Sequence, residues 1–173
     1  MANIALTLLA QRDVSVDDMA RLVLQLQLPY NPGLTLEVCR ASVLAVLRKR
    51  EVQHAVIVGV TLDVMAERHE LLEPLGSIVR ENGPLFGMDK VLGLAIVNVY
   101  GSIGLSNYGY LLRERPAVLK RLRGKGNTVQ TFLDDLTAAI VAAACARLAH
   151  EDKDNAPGHE VSAPSTTTRE AGR

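Results

Sequence analysis

Apolar residues recur at helical spacing along most of the chain, and no stretch alternates with period two for long enough to propose a strand. The N-terminal MANIALTLLAQRD reads as a short amphipathic helix, and without a basic leader it is not expected to be a signal peptide. Ser15, with Asp18 three residues on, forms an N-cap box for a helix that carries Met19, Leu22, Val23 and Leu26, and Pro29 ends it. After the turn Tyr30-Asn31-Pro32-Gly33, Thr35 caps a helix with Leu36, Cys39, Val43 and Leu47 facing inward. Arg48-Lys49-Arg50 then places cations where a helix C-terminus favours them. Helical periodicity resumes from Glu51 to Leu72, as one long bent helix or two, until Pro74 breaks it. A short helix over Leu75–Arg80 and the loop Asn82-Gly83-Pro84 follow.

The stretch FGMDKVLGLAIVNVYGSIGLSNYGYLLRERP (86–116) organises the rest. No residue from Val91 to Leu112 is charged, a length that would span a bilayer. However, Asn98, Ser102, Ser106 and Asn107 would need partners in lipid, and Gly93, Gly101, Gly104 and Gly109 keep the run only mildly apolar. The pattern therefore predicts a central helix, about 89–106, buried on most sides by other helices of a soluble domain. At roughly 100° per residue, Leu92, Ile96, Val99 and Ile103 form one apolar stripe and Gly93, Val97, Gly101 and Gly104 a second. Asn98 and Ser102 share a third face, and Asp89 opens the helix close to the glycine stripe. A loop at Asn107 and Gly109 is expected next, then a short helix from Pro116 to Arg123 and the loop Gly124-Lys125-Gly126-Asn127. An Ala-rich final helix, capped by Thr128 or Thr131, completes the pattern. The expected architecture is an all-α bundle of six or more helices over residues 1–150, with a disordered polar tail over 151–173.

Composition narrows the class. With 48% hydrophobic residues but only 3% aromatic and no Trp, the core has to be built from Leu, Val, Ile and Ala, which favours helix-on-helix packing. A formal net charge of zero supplies no global field towards nucleic acid, so no nucleic-acid partner is expected. Cys39 and Cys145 lack partner spacing and read as small buried residues in a reducing cytoplasm.

Carboxylates lead the candidate chemistry. Asp63 and Glu67 stand four apart on one helical face, Asp134 and Asp135 begin the last helix, and Asp89 begins the central one. Hard oxygen donors from several helices would suit Mg²⁺. The plainer reading is that Asp134 and Asp135 complement a helix dipole, worth about 0.3–1 kcal/mol each, while Asp63 and Glu67 line a solvated face. Between Arg113 and Lys125 lie six cations (Arg113, Arg115, Lys120, Arg121, Arg123 and Lys125) against the single acid Glu114. That segment fits a phosphate group or an anionic membrane surface, with a solvated helix face as the plainer reading. The loop around Lys125 lacks Walker spacing. The four histidines, His54, His69, His150 and His159, form no ligand pattern, and there is no nucleophile elbow or dinucleotide fingerprint.

Four segments carry a resemblance. They are LQLQLPYNPGLT (24–35), KREVQHAVIVGVTLDVMAE (49–67), GMDKVLGLAIVNVYGSIGLSNYGY (87–110) and TFLDDLTAAIVAAACARLAH (131–150). In this order the chain resembles the soluble branch of the phosphatidylglycerophosphatase A family, small cytoplasmic proteins of Gram-positive bacteria, from Arg12 to His150. The resemblance implies an all-helical fold around a central helix. It also implies a Mg²⁺-dependent phosphomonoesterase that removes the terminal phosphate of phosphatidylglycerophosphate in lipid metabolism, or of a small related phosphomonoester such as the nucleotide-like one of cobamide synthesis. Asp89, Asp134 and Asp135 would be the catalytic, metal-holding residues, with Asp63 and Glu67 as further metal candidates. Lys90, Arg113, Arg115 and Lys125 would hold the phosphate.

Two positions depart from the family pattern. Its usual Asp-Glu pair appears as Asp89-Lys90, and an Asp usually found before a Lys-Pro segment appears as Leu112. A cation in place of an anion at about 5 Å opposes Mg²⁺ by several kcal/mol. Two alternatives therefore stand beside the enzyme: a catalytically silent homologue that binds a phosphorylated metabolite or headgroup, and a purely structural helical oligomer. Partners compatible with the sequence are a phosphorylated small molecule or lipid headgroup, a transient contact with an anionic membrane surface, and a second copy of the chain.

Overall fold

The computed structural model describes residues 4–83, 85–122 and 128–154, which form nine α-helices and one 3-10 turn with no strand. The first four helices are α1 (Ile4–Gln11), α2 (Val16–Gln27), α3 (Leu36–Leu47) and α4 (Arg50–Glu67). Then come α5 (Leu75–Arg80), α6 (Met88–Val97), the 3-10 turn Asn98–Tyr100 and α7 (Gly101–Glu114). The last two are α8 (Ala117–Leu122) and α9 (Leu133–Asp154). Side-chain caps account for two of the starts. Ser15 Oγ accepts from the Asp18 amide at 3.0 Å, and Thr35 Oγ1 accepts from the Val38 amide at 3.4 Å.

The enclosed helix is α9. From Leu133 to Ala146 every residue is buried, and α2, α3, α4, α6, α7 and α8 all pack against it. A helix that is apolar on every side has to sit at the centre of a fold. Runs such as Ala142-Ala143-Ala144 let the neighbours approach closely. Gly59 of α4 is one such approach: a Cβ there would stand 2.5 Å from Leu136 Cδ1. Ser42 Oγ of α3 donates to the Ala144 carbonyl at 3.0 Å, which removes a buried hydroxyl from the unsatisfied account.

The segment expected to be the central helix, about 89–106, is neither continuous nor central. It breaks at Gly101, whose φ of +69° and ψ of −158° lie in a region essentially reserved for glycine. In an unbroken helix, residues 93 and 108 would stand about 22 Å apart. Here the Tyr108 ring lies on Gly93, so α7 folds back beside α6. Both helices pack one face on α9 and leave the other exposed. Gly93, Ile96, Val97, Tyr100, Gly104, Tyr108 and Leu111 face inward, whereas Val91, Leu94, Val99 and Leu105 are exposed. By length and composition Met88–Glu114 is apolar enough to cross a membrane, but its bend removes the straight helix a crossing would use.

Other boundaries shift for local reasons. The expected loop at Asn107 and Gly109 is helical and lies within α7. Arg50 opens α4 instead of closing α3, and α4 ends at Glu67, short of the expected Leu72, where the chain turns at Arg68 and His69 (φ +58°), so Pro74 does not end it. The last helix runs to Asp154, past the expected end of the domain at 150, with an Arg147–Glu151 ion pair at 2.6 Å on its surface. Of the expected tail, 151–173, residues 155–173 lie outside the described residues.

Candidate functional site

Neither Thr128 nor Thr131 caps α9. The hydroxyl of Thr131 donates to the Val79 carbonyl at 2.7 Å, and Asp63 of α4 supplies the cap. Its Oδ1 accepts from the Phe132 amide at 3.2 Å and its Oδ2 from the Leu133 amide at 3.1 Å. One turn later Glu67 Oε1 accepts from the Val129 amide at 2.6 Å and from Arg12 Nη2 at 2.5 Å; the Arg12 guanidinium also donates to the Val129 carbonyl. The structure thus commits Asp63 and Glu67, considered above as metal ligands, to fastening the start of α9. Their spacing of four residues matches a helix N-terminus laid across α4.

That fastening aims the first turn of α9, with Asp134 and Asp135, at the first turn of α6, with Asp89. All three carboxylates are largely buried, with side-chain exposures of 19% for Asp89, 5% for Asp134 and 3% for Asp135. Two positive helix ends support them. So do two side chains. Lys90 Nζ donates to Asp89 Oδ2 at 2.7 Å and lies 3.6 Å from Asp135 Oδ2. Arg115 Nη1 donates to Asp134 Oδ2 at 3.3 Å. Arg115 is itself held in place, its φ of +44° closing α7 and its Nε donating to the Leu112 carbonyl.

Burial and the Asp134 charge push the Asp135 carboxyl up to about 6, against the pull of Lys90. Burial works against charge on Lys90, yet Asp89 and Asp135 hold its pKa above the usual value, so it remains an ammonium. A recess of about 10 Å³, room for about one water, opens between Leu112, Arg115, Asp134 and Asp135.

Of the other phosphate-binding candidates, Arg113 points to solvent and pairs with its neighbour Glu114 at 2.9 Å. Lys125 lies outside the described residues. Leu112, at the position where the family pattern has an Asp, packs against the core and lines the recess.

The sequence matches the family model for phosphatidylglycerophosphatase A over residues 19–150. The chain belongs to the phosphatidylglycerophosphatase A family. The low temperature requirement C protein of Listeria monocytogenes has a crystal structure similar to this one, with a TM-score of 0.84 and 52% identity, covering 89% of this chain and 99% of that one. The crystal structure of the Bacillus subtilis protein ypjQ superposes with a TM-score of 0.83 at 48% identity, covering 87% of this chain and 94% of that one. YutG of Bacillus subtilis, an uncharacterised protein, is 50% identical over 141 residues, 81% of this chain and 85% of its own length.

Members of the phosphatidylglycerophosphatase A family are expected to use Mg²⁺, an ion held at about 2.0–2.1 Å in near-octahedral oxygen geometry. As arranged here, the residues do not fit it. Among the described residues no group of three or more His, Cys, Asp or Glu is gathered closely enough to hold a metal ion. The Lys90 ammonium stands between the two carboxylates best placed to bridge one.

Sequence reasoning missed one site residue. Tyr108, 3% exposed, is buried against Gly93 one turn after Asp89. The glycine stripe beside Asp89 was visible as a pattern. Nothing in the periodicity could place residue 108 over it, because the bend at Gly101 lies between them.

Proposed function

We propose that this chain is a cytoplasmic phosphomonoesterase of the phosphatidylglycerophosphatase A type, acting where α6 and α9 present their first turns to each other. The observation that carries the reading is the convergence of buried carboxylates from two helices on Lys90, with Arg115 beside them. An ammonium and a guanidinium are the donors suited to a phosphoryl dianion, the guanidinium through its fixed fork. Between them they would hold the phosphoryl group and spread its charge as the ester bond to the leaving alcohol breaks and a bond to water oxygen forms. The proton lost by the water would pass to a carboxylate of the Asp89–Asp135 pair and from there to the departing alkoxide oxygen, which leaves as the alcohol. The recess admits no phosphoryl group as it stands, so binding requires the Lys90 and Arg115 side chains to release their carboxylates.

The apolar residues around the site favour a lipid substrate over a free metabolite. Phe86 is 94% exposed and Met88 63%, and both lie just before Asp89 and Lys90 in the sequence. They would face acyl chains if the phosphate belongs to a lipid headgroup such as that of phosphatidylglycerophosphate.

A second reading has its own observation. Lys90 is ion-paired to two carboxylates of the site, and Leu112 occupies an expected acidic position. Both fit a homologue that binds phosphate without cleaving it. The deciding experiment measures phosphate release from a panel of phosphomonoesters, phosphatidylglycerophosphate in mixed micelles among them, with Mg²⁺ and with EDTA. Release above background supports the enzyme. Binding of the same compounds by calorimetry, with no release in either condition, selects the silent homologue.

A further inference from the structure

Tyr108 is a polar group at this site that the chemistry above leaves without a task. It sits in α7 and reaches back across the bend to lie on Gly93. A Cβ at position 93 would fall inside the Tyr108 hydroxyl, so glycine is required there for the phenol to occupy its place. The residue is 3% exposed, and its hydroxyl has no hydrogen-bond partner among the described residues. Burial first, then the charges of Asp135, Asp89 and Asp134, hold its pKa above the ordinary phenol value, so it stays a neutral O–H donor.

Two acceptors of the same cluster, Asp89 Oδ1 and Asp135 Oδ2, are likewise buried without a hydrogen bond among the described residues. Lys90 meets these acids from the solvent side, its side chain 37% exposed against 3% for Asp135. Leaving a buried hydroxyl unpaired costs stability, and a tyrosine kept only for packing could be phenylalanine.

We infer that Tyr108 Oη donates a hydrogen bond to a phosphoryl oxygen of the phosphomonoester held by Lys90 and Arg115. This rests on the phosphomonoester reading above, which supplies the ligand. The bound dianion provides an acceptor for the phenol, which adds a third, uncharged donor to the two cations. Tyr108 then touches the phosphoryl group directly and discriminates a phosphomonoester from a ligand that carries no acceptor at that point.

The experiment compares wild type with Tyr108→Phe in three measurements: melting temperature without ligand, calorimetric affinity for inorganic phosphate, and KM for any panel compound that is turned over. The expected result is a melting temperature equal to or above wild type. Phosphate affinity should be weaker by about 10- to 100-fold, as for a lost hydrogen bond to a charged group, with KM raised in proportion. A fluorine NMR titration with 3-fluorotyrosine gives a readout that needs no substitution at position 108. The chain has four tyrosines, and the other three are assigned by Phe replacement at Tyr30, Tyr100 and Tyr110. The Tyr108 resonance should move as inorganic phosphate saturates the site. If wild type binds phosphate and Tyr108→Phe binds it as tightly, or the Tyr108 resonance stays fixed at saturation, the inference fails while the phosphomonoester reading stands. If wild type binds neither phosphate nor any panel compound, both fail.

Discussion

Lys90 is the residue on which the chemistry of this chain turns. It holds Asp89 at 2.7 Å and Asp135 at 3.6 Å, and its charge is opposite to that of the Glu the family pattern places there. Around an acidic cluster, an internal ammonium and a divalent cation relieve the same repulsion, so they compete. Replacing Lys90 by Glu should therefore create a response to Mg²⁺. With the ion at a hundredfold excess over its dissociation constant, stabilisation of about 2.7 kcal/mol would raise the melting temperature of Lys90→Glu by about 5–10 °C. Wild type should melt at the same temperature in Mg²⁺ and in EDTA. A wild-type melting temperature that climbs with Mg²⁺ would show that the ammonium yields its position to the metal.

At the scale of the element, the bend between α6 and α7 is what assembles the site. It turns an apolar run that reads as one helix into two that share a face on α9, and it brings Tyr108 back over Gly93. The bend rests on Gly101, where an added Cβ would meet nothing within 4 Å, so a substitution there acts through the backbone alone. Gly101→Ala should cost about 1–3 kcal/mol because its φ and ψ exclude a side chain. Gly109, also with nothing within 4 Å of a Cβ but inside regular helix α7, provides the control of opposite sign. Gly109→Ala should gain about 0.5–1 kcal/mol, since it removes unfolded-state freedom without strain. Urea midpoints of the two variants test the pair. Equal destabilisation by both would mean that the bend does not depend on Gly101.

At the scale of the whole molecule, two buried carboxyls link stability to pH. Burial pushes Asp63 up to about 7, against the pull of the Phe132 and Leu133 amides, and pushes Asp135 up to about 6. Both lie above the ordinary carboxyl value of about 3.9, so between these limits the folded state binds more protons than the unfolded one. The stabilisation is fully present below about pH 4 and is lost as pH rises through 6 and 7. Glu67 has the opposite sign. Burial opposes its charge, but Arg12 and the Val129 amide hold it below its usual value, so its contribution is lost only as pH falls into the acid range. Urea midpoints should accordingly decline from pH 5 to pH 8. Asp63→Asn, which still offers an oxygen to cap α9, should flatten that slope. A midpoint that rises over this range would mean that both carboxyls remain ionised in the folded protein.

The sequence by itself determined the helices and their class. Ser15 and Thr35 cap where their side chains reach the third amide along, Pro29 follows the end of α2, and an aromatic-poor, Leu/Val/Ala-rich composition leaves helix packing as the way to build a core. These are local effects, felt within one turn of chain, and spacing records them. The family, too, was legible, because four long segments carry it in order. Which helix stands at the centre was not. The uncharged run at 91–112 and the Ala-rich run at 133–146 both satisfy helical periodicity, and only packing shows that small Ala side chains admit neighbours on every side while Gly101 turns the other run aside. The site divides in the same way. Its three aspartates could be nominated because each opens a helix, but the cap that Asp63 gives to α9, the lodging of Lys90 between Asp89 and Asp135, and the reach of Tyr108 to Gly93 join residues far apart in the chain. Such contacts depend on how α4, α6, α7 and α9 cross, so tertiary structure decided them.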